Sequence, residues 1–345
     1  MNRQAGRKDG ASIELAHEDT RQTLTEIVNS LLDVPQFASA FQLQLQTLDE
    51  FYSLARTIGG SDCPVAPLPK SLLDLERNYF SMLFLAVTRT LVAETTYMPL
   101  YAMVNQGMRA WVTACDNLLD DEYKEVFPFE MAGHGNRMRS VLTLLLADRV
   151  ISEYVCREYG NCDLIASVGR ISLAALMPSA IQESEEEFRP VPVLSPEELL
   201  QTVHRHKTAD LFAAPLALPS TLEHVESSRL SAAKRAVANF GLACQILDDL
   251  KDMPLDVVEG RHNYLVSSIS VEQGSGWLDD LRTGQLEDWV SWDMFPAKVA
   301  AARQVARGLF AQAFGDFSAI GLDLKEQLQN RIVELMYLIL RVPPE

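Results

Sequence analysis

The chain has 345 residues, 48% of them hydrophobic, and a formal net charge of -17. That length and apolar fraction suffice for one large core, and the acidic balance excludes a nucleic-acid binder, which needs a basic face for phosphates. Five cysteines, odd in number, widely spaced and without a Cys-x-x-Cys, exclude a disulfide framework and a zinc site and fit a reducing compartment, the cytoplasm.

Residues 1–20 are polar and lack the apolar segment of a secretory signal, so they read as a disordered tail. Residues 21–345 read as a single domain. "TRQTLTEIVNSLLDV", "LLDLERNYFSMLFLAVTRTLV", "GNRMRSVLTLLLADRVISEYV" and "LKEQLQNRIVELMYLILRV" space their apolar residues by three and four, the period of an amphipathic helix. Sustained period-two alternation is missing, so the expectation is all-α, with roughly ten or more helices of ordinary length. Breaks are expected at 59–71, 127–135, 183–198 and 313–323, where proline and glycine gather. The acidic 183–198 stretch reads as a solvated loop rather than a lid. The apolar run "YFSMLFLAVTRTLVA" is cut by Arg89 and is too short to cross a bilayer, so no transmembrane segment is expected.

"WVTACDNLLDDEYKEVF" carries the first acidic cluster: Asp116, Asp120, Asp121 and Glu122. On a helix, Asp116 and Asp120 stand one turn apart, beside Trp111, Val112, Leu118 and Leu119. Carboxylates converging in an apolar setting suit a hard cation such as magnesium. A solvated acidic helix face is the plain alternative.

"ACQILDDLKDMPLD" carries the second. Asp248, Asp249 and Asp252 stand at i, i+1 and i+4 behind an apolar run, with Gln245 one turn before Asp249. Pro254 is expected to end or kink the helix, leaving Asp256 in the following loop. Two such clusters can face each other across a bundle, where metal sites form between helices. A di-iron site asks for Glu-x-x-His pairs on inward faces. Glu130 and His134 have the wrong spacing, and oxygen-only clusters favour magnesium or manganese.

At this point the chain resembles a family. "FGLACQILDDLKD" and "DNLLDDE" are similar to the second and first aspartate-rich motifs of the polyprenyl synthetases, within the class I isoprenoid (terpene) synthase superfamily. Asn117 stands where a second aspartate is usual. "HRHKTADLFAAPLAL" resembles the family's Lys-Thr helix. The order and rough spacing match over about residues 75–270. The resemblance implies a single-domain helical bundle with a central active-site cavity. It implies that Asp116, Asp120, Asp121, Asp248, Asp249 and Asp252 hold Mg2+ (two or three ions, with Mn2+ as a substitute). It implies that Lys207, Thr208, Gln245 and Arg261 meet the diphosphate of a C10–C20 prenyl substrate, and that the chain forms a homodimer. Asp116, Asp120, Asp248 and Lys207 are the residues on which catalysis is expected to rest.

Chain-elongating members bind a second diphosphate through a compact basic motif. Here "PLPKSLLDLERNYF" offers only Lys70 and Arg77, and the expected arginine pair is reduced to Arg137 and Arg139. Arg109 and Arg170 are further candidates for the diphosphate. The reading is therefore an enzyme that ionises one prenyl diphosphate and cyclises the cation, a terpene synthase. A prenyltransferase with an atypical acceptor site, using Arg77, Arg137 and Arg139, is the alternative. A catalytically silent regulatory subunit is a third; it would be expected to lose aspartates, and both clusters survive. Trp111, Met108 and Met103 are expected to set pocket depth.

Overall fold

Apolar residues at helical spacing bury their stripes against one another, and the chain folds as a bundle of helices. The computed structural model describes residues 23–119, 123–130, 135–187, 191–274, 276–278 and 294–342. The 1–20 segment, Asp120, Asp121, Glu122 and His134 lie outside them. Helix α1 covers 23–32. It is followed by α2 (Pro35–Gly59), α3 (Leu75–Leu91), α4 (Met98–Leu119), α5 (Asn136–Tyr159) and α6 (Cys162–Glu186). Then come α7 (Pro196–Gln201), a π-turn (Arg205–Ala209), α8 (Asp210–Ala213), α9 (Ala217–Leu222) and α10 (Ser227–Glu259). The chain closes with α11 (Tyr264–Gln273), α12 (Pro296–Ala319) and α13 (Glu326–Ile339). Among the described residues the one extended pairing is an isolated bridge, Val65 to Phe129.

Local chemistry sets the helix ends. Pro35 starts α2 in the first turn, where its missing N–H costs nothing. Asn161 caps α6, accepting from Leu164 N–H. Ser195 and Glu198 form a capping box at α7. Gly160 and Gly260 end α5 and α10 in the left-handed conformation, at φ 58° and 68°.

Helix α10 is the axis of the bundle. It packs along α12 and also meets α3, α8, α11 and the π-turn. Ala236, Val237, Phe240, Ala243, Leu247 and Leu250 are buried round its shaft. Phe240 sits against Phe310, with ring centres 5.0 Å apart, and near Phe314 and Phe317 of α12. The other half of the bundle is α2 to α5. Gly107 lets α4 close on α5: a Cβ there would stand 2.3 Å from Ile151 Cδ1.

Three expected boundaries move. Pro254 does not end α10, which runs on to Glu259. Asn263 braces the turn before the proline by donating to Asp249 O at 2.7 Å, and the apolar contacts of Met253 and Val257 hold the rest of the helix in place. Asp256 is therefore a buried helical residue, not a loop residue. The 183–198 stretch is not a solvated loop throughout, because α6 continues to Glu186 and buries that residue. The 313–323 break shrinks, because Phe314 and Phe317 keep α12 helical to Ala319.

Helix α6 passes through Pro178 and is long and apolar enough to cross a membrane by length and composition alone. Its inner face carries Leu176, Ser179, Ala180 and Glu183 into the cavity described next. The outer face exposes Leu173, Met177 and Ile181.

Candidate active site

A cavity of about 740 Å³ opens between α4, α6, the π-turn with α8, and α10. Trp111, Leu176, Leu211 and Phe212 make one part of its wall apolar, while Asp116, Asp248, Asp252 and Lys207 bring charge to another. Asp116 of the first cluster thus shares one space with Asp248, Asp249 and Asp252 of the second.

The three aspartates at the start of the second cluster do not play one part. Asp248 and Asp252, one turn apart, face the cavity and share the Lys251 ammonium, at 3.3 and 3.1 Å. Burial, and then repulsion from Asp252, push the Asp248 carboxyl up to about 6. Asp249 borders the same cavity but is only 2% exposed. Its Oδ1 accepts from Gln245 Nε2 at 2.7 Å. Its Oδ2 accepts from Tyr264 N–H at 2.6 Å and stands 2.8 Å from His204 Nε2. Asp256 accepts from Asn263 Nδ2 at 2.8 Å, and burial beside Asp249 pushes its carboxyl up to about 8.

The Lys-Thr segment adopts a π-turn that points Lys207 and Thr208 at the cavity. Thr208 Oγ1 donates to Gln245 Oε1 at 2.6 Å. Lys207 Nζ lies 3.0 Å from Glu183 Oε1 and 3.3 Å from Glu186 Oε2. Burial works to lower the lysine, but Glu186 and Glu183 outweigh it and hold the ammonium firmly protonated. Glu183 and Glu187 are thus part of the site wall, and Glu186 holds Lys207 from behind it.

On the facing helix, Asp116 lines the cavity near the end of α4. Asn117 does structural work. It donates to Lys124 O at 2.9 Å and accepts from Lys124 N–H at 2.7 Å, tying Lys124 to the end of α4. Lys124 thereby joins the cavity wall.

The other basic candidates divide. Arg261 lines the cavity and pairs with Glu259 at 2.6 Å. Arg137 and Arg139 do not reach the wall; Arg139 Nη1 donates to Phe129 O at 3.0 Å. Lys70 and Arg77 are exposed and also lie off the wall. Arg109 donates to Asn78 Oδ1 at 3.2 Å, and Arg170 lies exposed beside Ser167. Of the depth candidates only Trp111 lines the cavity, while Met103 and Met108 are buried elsewhere in the core.

Lys251 and His262 on the cavity wall and His204 behind it went unread in the sequence, and Glu186 was read only as part of a solvated loop. Glu259 and His262 have Glu-x-x-His spacing, which does occur here, but Glu259 is engaged with Arg261. Burial, with His204 and Lys207 nearby, pushes His262 down to about 4, so it is neutral at pH 7.

The donor set fits magnesium. Among the described residues no three carboxylate, imidazole or thiol groups stand close enough together to hold a metal ion by themselves. Asp116, Asp248 and Asp252 offer oxygen alone from two walls, a donor type that suits magnesium where a further ligand supplies the remaining oxygens. Lys251 already shows that a cation is drawn between Asp248 and Asp252.

The family described as polyprenyl synthetase matches residues 154–259. A search of curated proteins gives no match. Among solved structures, a decaprenyl diphosphate synthase from Rhodobacter capsulatus aligns at 16% identity. It covers 90% of this chain and 100% of its own, with a TM-score of 0.59. A geranylgeranyl pyrophosphate synthase from Lactobacillus brevis aligns at 16% identity over 89% of this chain and 96% of its own, with a TM-score of 0.58. A geranylgeranyl pyrophosphate synthetase from the archaeon Geoglobus acetivorans aligns at 17% identity over 88% and 98%, with a TM-score of 0.56. At such identities the likeness is one of fold. The chain therefore has the all-α fold of the class I isoprenoid synthases and matches the polyprenyl synthetase family over the segment that carries Lys207, Thr208 and the second aspartate cluster.

Proposed function

We propose that the chain is a magnesium-dependent enzyme that ionises an allylic prenyl diphosphate of the C10–C20 class and passes the cation to an acceptor, a prenyltransferase. The observation that carries this reading is the shared cavity: aspartates from α4 and α10, Lys207 and an apolar wall meet in one space. A prenyl diphosphate is an apolar chain with a highly charged head, and this wall matches it end for end. The C1–oxygen bond breaks heterolytically, and diphosphate leaves with the electron pair. When bound, magnesium held by Asp116, Asp248 and Asp252 supplies Lewis-acid neutralisation of the leaving group. Lys207 adds a fixed positive charge beside the departing oxygens. Trp111, Leu176, Leu211 and Phe212 shield the cation from water.

The likeness in fold to prenyl diphosphate synthases, with the family match, supports transfer over cyclisation. One observation favours the second reading, a terpene synthase. Lys70, Arg77, Arg137 and Arg139 stay off the cavity wall, so the basic contacts expected for a second diphosphate are not among its lining, which carries Lys124, Lys251 and Arg261 instead. Product analysis with and without isopentenyl diphosphate separates the two. A longer diphosphate that forms only with it supports transfer. A hydrocarbon or alcohol from one substrate alone supports cyclisation.

A homodimer is part of this reading. Met138, Val141 and Leu145 on α5, and Leu173, Met177 and Ile181 on α6, expose apolar stripes at helical spacing, which a second copy would cover. Sedimentation of Leu145→Glu as a monomer beside a dimeric wild type is expected; a monomeric wild type would refute it.

A further inference from the structure

Asn117 stands where the first aspartate-rich motif usually has a second aspartate, and it is 4% exposed. Both polar groups of its amide are spent on one residue. Nδ2 donates to Lys124 O at 2.9 Å, and Oδ1 accepts from Lys124 N–H at 2.7 Å. An ionised carboxylate only accepts. An aspartate here could keep the second bond, but it would set a charged oxygen against the Lys124 carbonyl. The amide is therefore the group that can hold this stretch of backbone by its N–H and its C=O together.

The segment is braced beyond Lys124 as well. Tyr52 Oη donates to Val126 O. Phe127 is fully buried, stacked on Phe51 with ring centres 5.2 Å apart and set edge-on to Phe129. Ala66 N–H donates to Pro128 O and Glu130 N–H to Pro64 O, both at 2.9 Å. These contacts fix the far end of the segment, and Asn117 fixes the near one. The Lys124 side chain lies on the cavity wall, which it shares with Asp116, Asp248 and Lys207.

Charge gives that placement a use. Lys207, Lys251 and Arg261 approach the cavity from the π-turn, from α10 and from the segment that follows α10. Among the described lining residues, Lys124 is the cation on the α4 side. A diphosphate held between Asp116 and the α10 aspartates lies between those two sides, where opposed cations reach its oxygens by charge-assisted hydrogen bonds. A lysine whose backbone is already fixed gives up less freedom on binding.

We propose that Lys124 is a diphosphate-binding residue and that Asn117 is the positioning residue that holds it on the wall, a task the usual aspartate cannot perform. This deepens the proposed function and rests on it. The departure from the first motif then supplies a substrate contact.

The test is isothermal titration of the full-length chain with inorganic diphosphate in excess magnesium, on variants whose circular dichroism matches the wild type. Lys124→Met weakens binding by about tenfold, the scale of one charge-assisted hydrogen bond, and Lys124→Arg recovers most of it. Asn117→Ala removes both bonds without adding charge. Asn117→Asp, which is isosteric, keeps the fold where Asn117→Ala does not. Each weakens binding by about threefold or more, within the coupling of residues in contact. In a Lys124→Met chain, Asn117→Ala changes binding by less than about twofold, because two residues that act through one contact do not add. Wild-type affinity in Lys124→Met overturns the proposal, as does wild-type affinity in Asn117→Asp. An equal loss on Asn117→Ala with and without the lysine overturns it too, since Asn117 then acts by another route. A wild type that binds no magnesium diphosphate overturns the proposed function itself and, with it, this contact.

Discussion

Lys207 Nζ stands 3.3 Å from Oε2 of Glu186, a carboxylate only 3% exposed. The lysine expected to meet diphosphate is thus already held by acid, with Glu183 at 3.0 Å on its other side. Breaking a buried pair costs more than the pair is worth, because the orphaned charge remains. Lys207→Met is expected to lower stability by up to about 3–5 kcal/mol, and Lys207→Met with Glu186→Gln to restore most of it. Chemical denaturation measures both.

Glu183 is the more exposed of the two glutamates, and on the proposed function it would compete with the diphosphate for the same ammonium. Glu183→Gln is expected to lower the KM for the prenyl diphosphate by up to about fivefold, the scale of a partly solvated pair. Steady-state kinetics with an unchanged circular dichroism spectrum checks it. A raised KM would place Glu183 on the side of the substrate instead.

Gly241 lies under the ring of Phe212, and an added Cβ would stand 2.6 Å from Cγ of that ring. The ring is also boxed by Phe80 and Phe84, with centres 5.4 and 5.5 Å away. Gly241→Ala is expected to cost about 1–3 kcal/mol by overpacking, and Phe212→Leu in the same chain to return part of it. Thermal unfolding of the single and double variants decides this.

Asp256 gives stability a pH dependence of defined sign. Its carboxyl stands near 8 in the fold against an ordinary 3.8, so the folded chain holds a proton that the unfolded chain has released between those values. Stability is therefore lost as pH rises from about 4 to about 8. In chelator, the thermal midpoint of Asp256→Asn should gain on the wild type across that interval. A constant gap between the two would contradict the assignment.

Helical periodicity made the fold legible, since stripes at three- and four-residue spacing mark what each helix buries. The site was half legible. Charge set against apolar runs singled out Asp116, Asp248 and Asp252, and the resemblance to a Lys-Thr helix singled out Lys207; all four line the cavity. Adjacent letters did not say that Asp249 is bonded to Gln245, Tyr264 N–H and His204 while Asp248 meets Lys251. His204 is a single histidine whose meaning comes from a residue 45 positions away. Glu186 was hidden by a proline-rich stretch that suggested a loop, and Asp256 by a proline that the packing of α10 overrides.

The central claim is tested most directly by diphosphate release from geranyl, farnesyl and geranylgeranyl diphosphate, with and without isopentenyl diphosphate, in magnesium and in chelator. The account predicts magnesium-dependent release from at least one of them. It also predicts a loss of about a hundredfold or more in Asp248→Ala, the scale of a lost electrostatic contact to the transition state, at unchanged helicity. No release from any substrate, or full activity in Asp248→Ala, would contradict it.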